Sequence, residues 1–443
     1  MRASITRNVS STNTIGQNLI SVAKGFSHAS VLLSNNIKAA NPTTISYNKY
    51  EVVAGFGSVA ILEANCNCLQ QLEEFTANNA NDWLFGLISY ELKNEVEALS
   101  SKSSNSLQFP TLLFFIPEIV ITVDDKELTA HYFANINTHA AINALLDDIC
   151  KQPQPVPPLN FANSFNARVS KKQYIDNFSK IQTHIQQGDI YEMNYCIEFF
   201  TNPKGFDPYN THKQLLATSP TPYSAFFKDN SRFLLCASPE RYIAKCHNTL
   251  ISQPIKGTIA RGATPEQDAA NQLALSQNPK ERAENIMIVD LVRNDLSRIA
   301  SKGTVNVDEL CGIYPFRQVH QMISTVSCTL EPDTCFSSLL RATFPMGSMT
   351  GAPKVRAMQI IDEYEAAQRG LYSGTTGYIS PNGDFDFNVV IRSLLYNEKK
   401  KYLSFSVGSA ITARANAAQE YDECLLKASA ILKTLNTTIS HAE

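Results

Sequence analysis

Lys256 lies in the stretch SQPIKGTIARG (252–262), framed by a proline, β-branched residues, a glycine and a threonine. That frame predicts a stiff turn. A long cation at its tightest point suits reaching into a pocket better than lying on a surface. Carboxylates form the second group. Glu284 falls early in a predicted helix, PKERAENIMIVDLVRNDLSRIA (279–300), whose apolar residues lie nearly all round and call for burial. An acid there must be paired, capped or bound to a metal, or else serve the dipole of the first turns. Glu420 and Glu423, three apart, share one face of AQEYDECLLKASAILKTL (418–435). Two acids from one helix and one from another suit Mg²⁺, which takes one or two carboxylates and completes its octahedron with water and substrate oxygens. Spacing alone does not bring those helices together. Glu240, after Ser-Pro in CASPERYI (236–243), reads as a general acid or as a partner of Arg241 at a turn.

Three small-residue stretches, FPMGSMTGAPK (344–354), SGTTGYI (373–379) and VGSAIT (407–412), are turns whose backbone N–H groups could hold a carboxylate or phosphate. None fits the GxxxxGK[ST] pattern of a phosphate-binding loop. Arg392 falls on the polar side of an alternating strand, opposite Val389 and Ile391, as a bidentate carboxylate clamp or a rim ion pair.

These side chains need a scaffold, and 443 residues at 44% hydrophobic and 18% charged supply a large buried core. A net charge of −3 without a basic block argues against nucleic acid as the main ligand. The ten cysteines are scattered and read as small core hydrophobes of a reducing compartment. With no apolar leader and no membrane-length apolar run, a cytoplasmic protein is expected. KQPQPVPPLNFAN (151–163) reads as a proline-rich linker between an N-terminal region (1–150) and a larger domain (164–436). Strands are predicted at 50–64, 82–92, 111–124, 127–134, 385–397 and 400–412. Helices are predicted at 170–189, 279–300, 352–366 and 418–435. Antiparallel strands with helices packed outside give an α+β class.

SQPIKGT, ERAENIMIVDLVRNDL, FPMGSMTGAPKVRAMQIID and QEYDECLLKA occur in the order and spacing of the chorismate-utilising enzymes, which this chain resembles strongly over its last 280 or so residues. The likeness extends more faintly through LEAN (62–65) and LFGLISYEL (84–92). It implies a two-sheet sandwich with outer helices and the site between the sheets. It also implies roles: Glu284 and Glu423 as Mg²⁺ ligands, Glu420 acting through water, Lys256 attacking C2 of chorismate after losing its proton, which an apolar, partly closed pocket would favour, and Glu240 protonating the departing C4 hydroxyl. Arg392 and the Gly408 turn would hold the enolpyruvyl carboxylate, with Gly257, Thr258 and Thr350 also lining the substrate site. The anthranilate synthases of this family carry alanine at the Lys256 position. The branch with lysine, aminodeoxychorismate synthase large subunits, puts nitrogen on C4 instead of C2. The resemblance thus implies amination by ammonia delivered from a separate glutamine amidotransferase subunit, since no amidotransferase motif is found in this chain. Anthranilate synthase component I is the alternative activity, and an inert chorismate-fold regulatory subunit the alternative of another kind.

Four positions depart from the family pattern. Glu192 stands where relatives often have glutamine, and where water-adding relatives have lysine. Gln321 replaces a histidine tied to pyruvate elimination, with His320 adjacent. Ser409 and Ala410 replace glycines, which would alter the carboxylate cradle if either needed a positive φ.

Overall fold

The computed structural model describes residues 2–9, 12–35, 37, 49–101, 103–317, 319–331 and 333–440. Two large sheets, antiparallel but for one short terminal pairing, face each other. Among the described residues the first has thirteen strands and runs inward from Arg2–Asn8 through His28–Leu33, Tyr223–Asp229, Arg232–Ser238, Ser393–Asn397 and Tyr402–Thr412 to Glu192–Thr201. The second has ten, from Ile255–Ala260 and Val319–Thr329 through Arg241–Cys246, Phe385–Asn388 and Thr375–Ile379 to Ala60–Ala64. Phe115 of the second sheet meets Phe227 of the first, ring centroids 5.8 Å apart, in the apolar layer between them. Helices Thr12–Val22, Lys171–Gln186 and Ala417–Leu435 cover the outer face of the first sheet through a separate core. The α+β sandwich is as expected.

Several segments read as single strands are two strands, one in each sheet. The run at 50–64 divides into Val52–Phe56 and Ala60–Ala64, with Gly57 at φ 69° between them. The run at 111–124 divides into Leu112–Ile116 and Ile119–Asp124 across Pro117-Glu118, and 385–397 into Phe385–Asn388 and Ser393–Asn397. Apolar residues continue through each corner, because both halves face buried layers, so periodicity alone conceals the break. The 82–92 run is a strand only over Leu84–Ile88 and then makes a 3₁₀ turn at Tyr90–Leu92. Residues 152–164 carry no regular structure, as four prolines require. Strands before and after that stretch pair directly, His28–Leu33 with Tyr223–Asp229 and Leu84–Ile88 with Thr375–Ile379.

Helix Lys171–Gln186 opens on a capping box between Ser170 and Gln173. Helix Pro279–Ser297 is capped by the Asn278 side chain, with Pro279 at its first position. It is not apolar all round: Glu284, Asn285, Ile288, Val289, Val292 and Leu296 are buried, and Ile286 is exposed. The buried stripe packs on Ile255–Ala260 and Val319–Thr329, which brings Glu284 to the Lys256 strand.

Candidate active site

The stretch around Lys256 is not a turn. Thr249–Gln253 and Ile255–Ala260 are strands, both pairing with Val319–Thr329 and interrupted only at Pro254. Ile255 pairs with Ile323 and Thr258 with Gln321, so Lys256 and Gly257 together oppose Met322. This is a β-bulge, which re-aims a side chain without leaving the sheet. Gly257 has φ 94°, and a Cβ on it would stand 3.1 Å from Glu281 Oε2 and 3.3 Å from Met322 Cβ. The positive φ favours glycine, and a Cβ would press on both neighbours.

Lys256 Nζ reaches across to the first sheet and lies 2.6 Å from Glu192 Oε1. Glu192 is 1% exposed, and its other oxygen, Oε2, has no partner among the described residues. Burial alone would lower the lysine pKa, but the Glu192 and Glu284 carboxylates more than reverse that and hold it well above the ordinary lysine value. The expectation that an apolar pocket deprotonates Lys256 is overturned: in the free protein it is an ion-paired ammonium.

Glu240 and Arg392 occupy two adjacent corners where the chain passes between sheets. Glu240 lies between Arg232–Ser238 and Arg241–Cys246, and Arg392 between Phe385–Asn388 and Ser393–Asn397. The corners are tied by their backbones: Val389 N donates to Glu240 O (3.0 Å) and Ala237 N to Arg392 O (3.2 Å). Ser348 Oγ donates to Glu240 Oε1 at 2.6 Å. Burial pushes the Glu240 carboxyl up, and the Ser348 bond and the Lys256 charge only partly offset it, leaving a pKa of about 7. Arg241 does not pair with it, being held by Asp386 and Gln253. Arg392 is not on a strand. Its φ is 51°, and its guanidinium makes no hydrogen bond or ion pair with the described residues. It borders an open recess of about 290 Å³ also lined by Thr221, Pro239, Phe316 and Gln321.

Two of the three helical acids, Glu284 and Glu420, flank one lysine. Lys280 Nζ lies 3.3 Å from Glu420 Oε1 and 3.8 Å from Glu284 Oε1, an ammonium between two carboxylates from different helices. Glu284 Oε1 is buried without a hydrogen-bond partner. Burial raises the Glu284 pKa to about 7, and burial and the neighbouring Glu423 raise that of Glu420. Carboxylate oxygens are the donors a hard divalent cation takes, and Lys280 stands between two of them in the free protein. Glu423 stands slightly apart, 44% exposed at its side chain and 2.8 Å from Lys427 Nζ, which also donates to Gly408 O at 2.8 Å.

The small-residue stretches are not open anion nests. Met349 and Thr350 donate their N–H groups to Met346 O and Gly347 O, and the Thr350 hydroxyl stays within the same loop. The loop closes as Gly351–Ala352 pairs with Glu192–Met193; a Cβ on Gly351 would fall 2.1 Å from Glu192 O. SGTTGYI and VGSAIT are mostly strand. Thr258 is exposed on its edge strand. Neither Ser409 nor Ala410 has a positive φ, and Ser409 Oγ bonds buried Tyr174 OH at 3.1 Å, so these departures impose no backbone strain. Gln321 lines the Arg392 recess, while His320, on the opposite face, binds Asp268 at 2.9 Å and is turned away.

Ser348, Lys280 and Lys427 were not anticipated as site residues, and Glu192 only as a departure. Alternation could have placed Glu192: Met193, Tyr195, Ile197 and Phe199 enter the outer core, so Glu192 and Asn194 face the other sheet.

A largely buried lysine, a carboxyl with a pKa of about 7, an arginine without a side-chain partner among the described residues and two helical carboxylates bridged by a lysine are the groups this fold gathers. A profile described as chorismate binding enzyme matches residues 29–433. The chain is 37% identical to aminodeoxychorismate synthase component 1 of Klebsiella aerogenes over 80% of its own length and 77% of the relative's. It is 34% identical to the Escherichia coli K12 protein of that name, covering 79% and 76%. Anthranilate synthase component I of Streptococcus pneumoniae shares the fold, with a TM-score of 0.75 at 23% identity over 89% of this chain and 95% of that one. So does MenF, the menaquinone-specific isochorismate synthase of E. coli, at 0.74, 16%, 98% and 95%. The chain belongs to the chorismate-binding enzyme family.

Proposed function

We propose that this chain is an aminodeoxychorismate synthase large subunit, converting chorismate and ammonia to 4-amino-4-deoxychorismate. The observation that carries this is the largely buried Lys256, which its bulge aims at the opposite sheet near the Glu240 carboxyl. Nζ attacks C2 of the ring. The ring double bonds shift, and the C4–O bond breaks. Glu240, a carboxyl with a pKa of about 7, gives its proton so that the hydroxyl leaves as water. Ammonia then bonds to C4 and the Nζ–C2 bond breaks, returning the electron pair to Nζ. Arg392 has free donors for a carboxylate of the substrate. Glu284 and Glu423, with Glu420 through water, would hold Mg²⁺, and Glu284 and Glu420 are the pair bridged by Lys280. Bound Mg²⁺ neutralises the ring carboxylate. Gln321 in place of the eliminating histidine, with His320 turned to Asp268, disfavours pyruvate loss and hence anthranilate as product.

The K. aerogenes and E. coli relatives are named as component 1, in keeping with a second component that supplies ammonia from glutamine. None of the described helices is long and apolar enough to cross a membrane, in keeping with action in the cytoplasm. Mass spectrometry of chorismate, Mg²⁺ and ammonium incubated with the protein tests the assignment. 4-Amino-4-deoxychorismate is expected. Anthranilate would overturn the C4 assignment, and unchanged chorismate would favour an inert subunit.

A further inference from the structure

The geometry points to Glu192 as the proton acceptor for Lys256, the group that turns a resting ammonium into a nucleophile and recharges it after each turnover. This rests on the reaction proposed above and adds a residue to it. Glu192 Oε1 is 2.6 Å from Nζ, within direct transfer distance. The carboxylate is fully buried, so water does not compete for the proton. Oε2 is a second acceptor without a partner among the described residues, in a site where an orphaned oxygen is costly unless something uses it. The two residues come from opposite sheets, and each is fixed: Lys256 by the Gly257 bulge, Glu192 by strand pairing with Thr412 and Ala352. The other charged groups around Nζ are Glu284, Glu240, Glu281 and Glu423, none of which lies within ion-pair distance of it.

The protons balance. Glu192 takes one from Nζ as the Nζ–C2 bond forms. Glu240 gives one to the C4 hydroxyl and recovers one from the ammonium formed at C4. When the Nζ–C2 bond breaks, Glu192 returns its proton to the freed amine. A pair that only exchanges a proton internally keeps its total charge, so its step is independent of pH. Without Glu192 the amine must lose its proton to solvent, and its step follows the amine's ionisation.

The experiment compares wild type, E192Q and E192D from about pH 6.5 to 9.5, with free ammonia held constant by adjusting total ammonium. The ratio of variant to wild-type rate is read, because ionisation of Glu240 is common to all three. The E192Q ratio should be down about 100-fold near neutrality and should climb about tenfold per pH unit until the amine is neutral. E192D keeps a carboxylate and should show a flat ratio. An E192Q ratio that is flat with pH, or no slower than wild type near neutrality, overturns the role. Acetylation of Lys256 by acetic anhydride in the substrate-free protein, followed by peptide mass spectrometry, is the second measurement. Its pH midpoint should fall in E192Q, and identical curves overturn the pairing. A wild type that makes no 4-amino-4-deoxychorismate defeats the reaction assignment instead, and leaves the labelling result to decide the pair.

Discussion

Ser348 Oγ and Glu240 Oε1 are 2.6 Å apart, and that hydrogen bond joins the loop over the cleft to a corner between the sheets. Glu240 is also near the Lys256 and Lys427 charges and the Ile255 amide, yet burial keeps its pKa at about 7 against 4.5 for a free glutamate. Two consequences follow in opposite assays. As the general acid it must be protonated, so kcat/KM for chorismate at fixed free ammonia should fall as pH rises through about 7. As a buried group with a raised pKa, its ionised form opposes folding. Its cost is absent below about 4.5, grows as pH rises and is complete above about 7. Glu240→Gln should therefore be inactive, yet melt higher than wild type at pH 8, with the difference vanishing below about pH 4.5. An E240Q that melts below wild type at pH 8 would sink the assignment of a buried, strained carboxylate.

Lys256→Ala and Lys256→Arg should both lose 4-amino-4-deoxychorismate formation. Arginine keeps the charge and the Glu192 partner but stays protonated. A lysine that only balanced substrate charge would tolerate arginine and change KM alone. Product formation by K256R at a near wild-type rate would remove the covalent role.

Glu423→Gln removes one charge from the acid cluster while keeping its shape. Mg²⁺ affinity, followed by calorimetry on the protein, should weaken about tenfold or more, and turnover should collapse with the melting temperature nearly unchanged. Full turnover in EDTA contradicts the metal assignment.

Arg392→Ala should raise KM for chorismate by about 10- to 100-fold, the loss of a charge-assisted bond. Because the guanidinium makes no hydrogen bond or ion pair with the described residues, stability should not fall. An unaltered KM would place the carboxylate elsewhere.

Gly257→Ala should destabilise the fold by about 1–3 kcal/mol, the cost of a positive φ in a residue with a Cβ, and should displace Lys256 as well. Urea denaturation reads the first effect and turnover the second. An alanine tolerated without loss of stability would mean that the bulge relaxes freely.

The chemistry-bearing residues were legible because their types are costly where they stand: a lysine beside Gly257, and acids on helices with buried apolar faces. The α+β class, the helix starts at Ser170 and Pro279 and the unstructured proline stretch followed from local rules of capping and φ restriction. What tertiary structure decided is which groups meet. The corners at Gly57, Pro117 and Val389–Arg392 divide what read as continuous runs between two sheets, since apolar alternation looks the same whichever buried layer it faces. The pairing of Lys256 with Glu192, 64 residues apart in sequence, and of Glu284 with Glu420 across Lys280, arises only when both sheets and two helices close on one cleft. That closure also set the protonation states: it raised Glu240 and Glu284 by burial, and kept Lys256 charged where an apolar pocket alone would have discharged it.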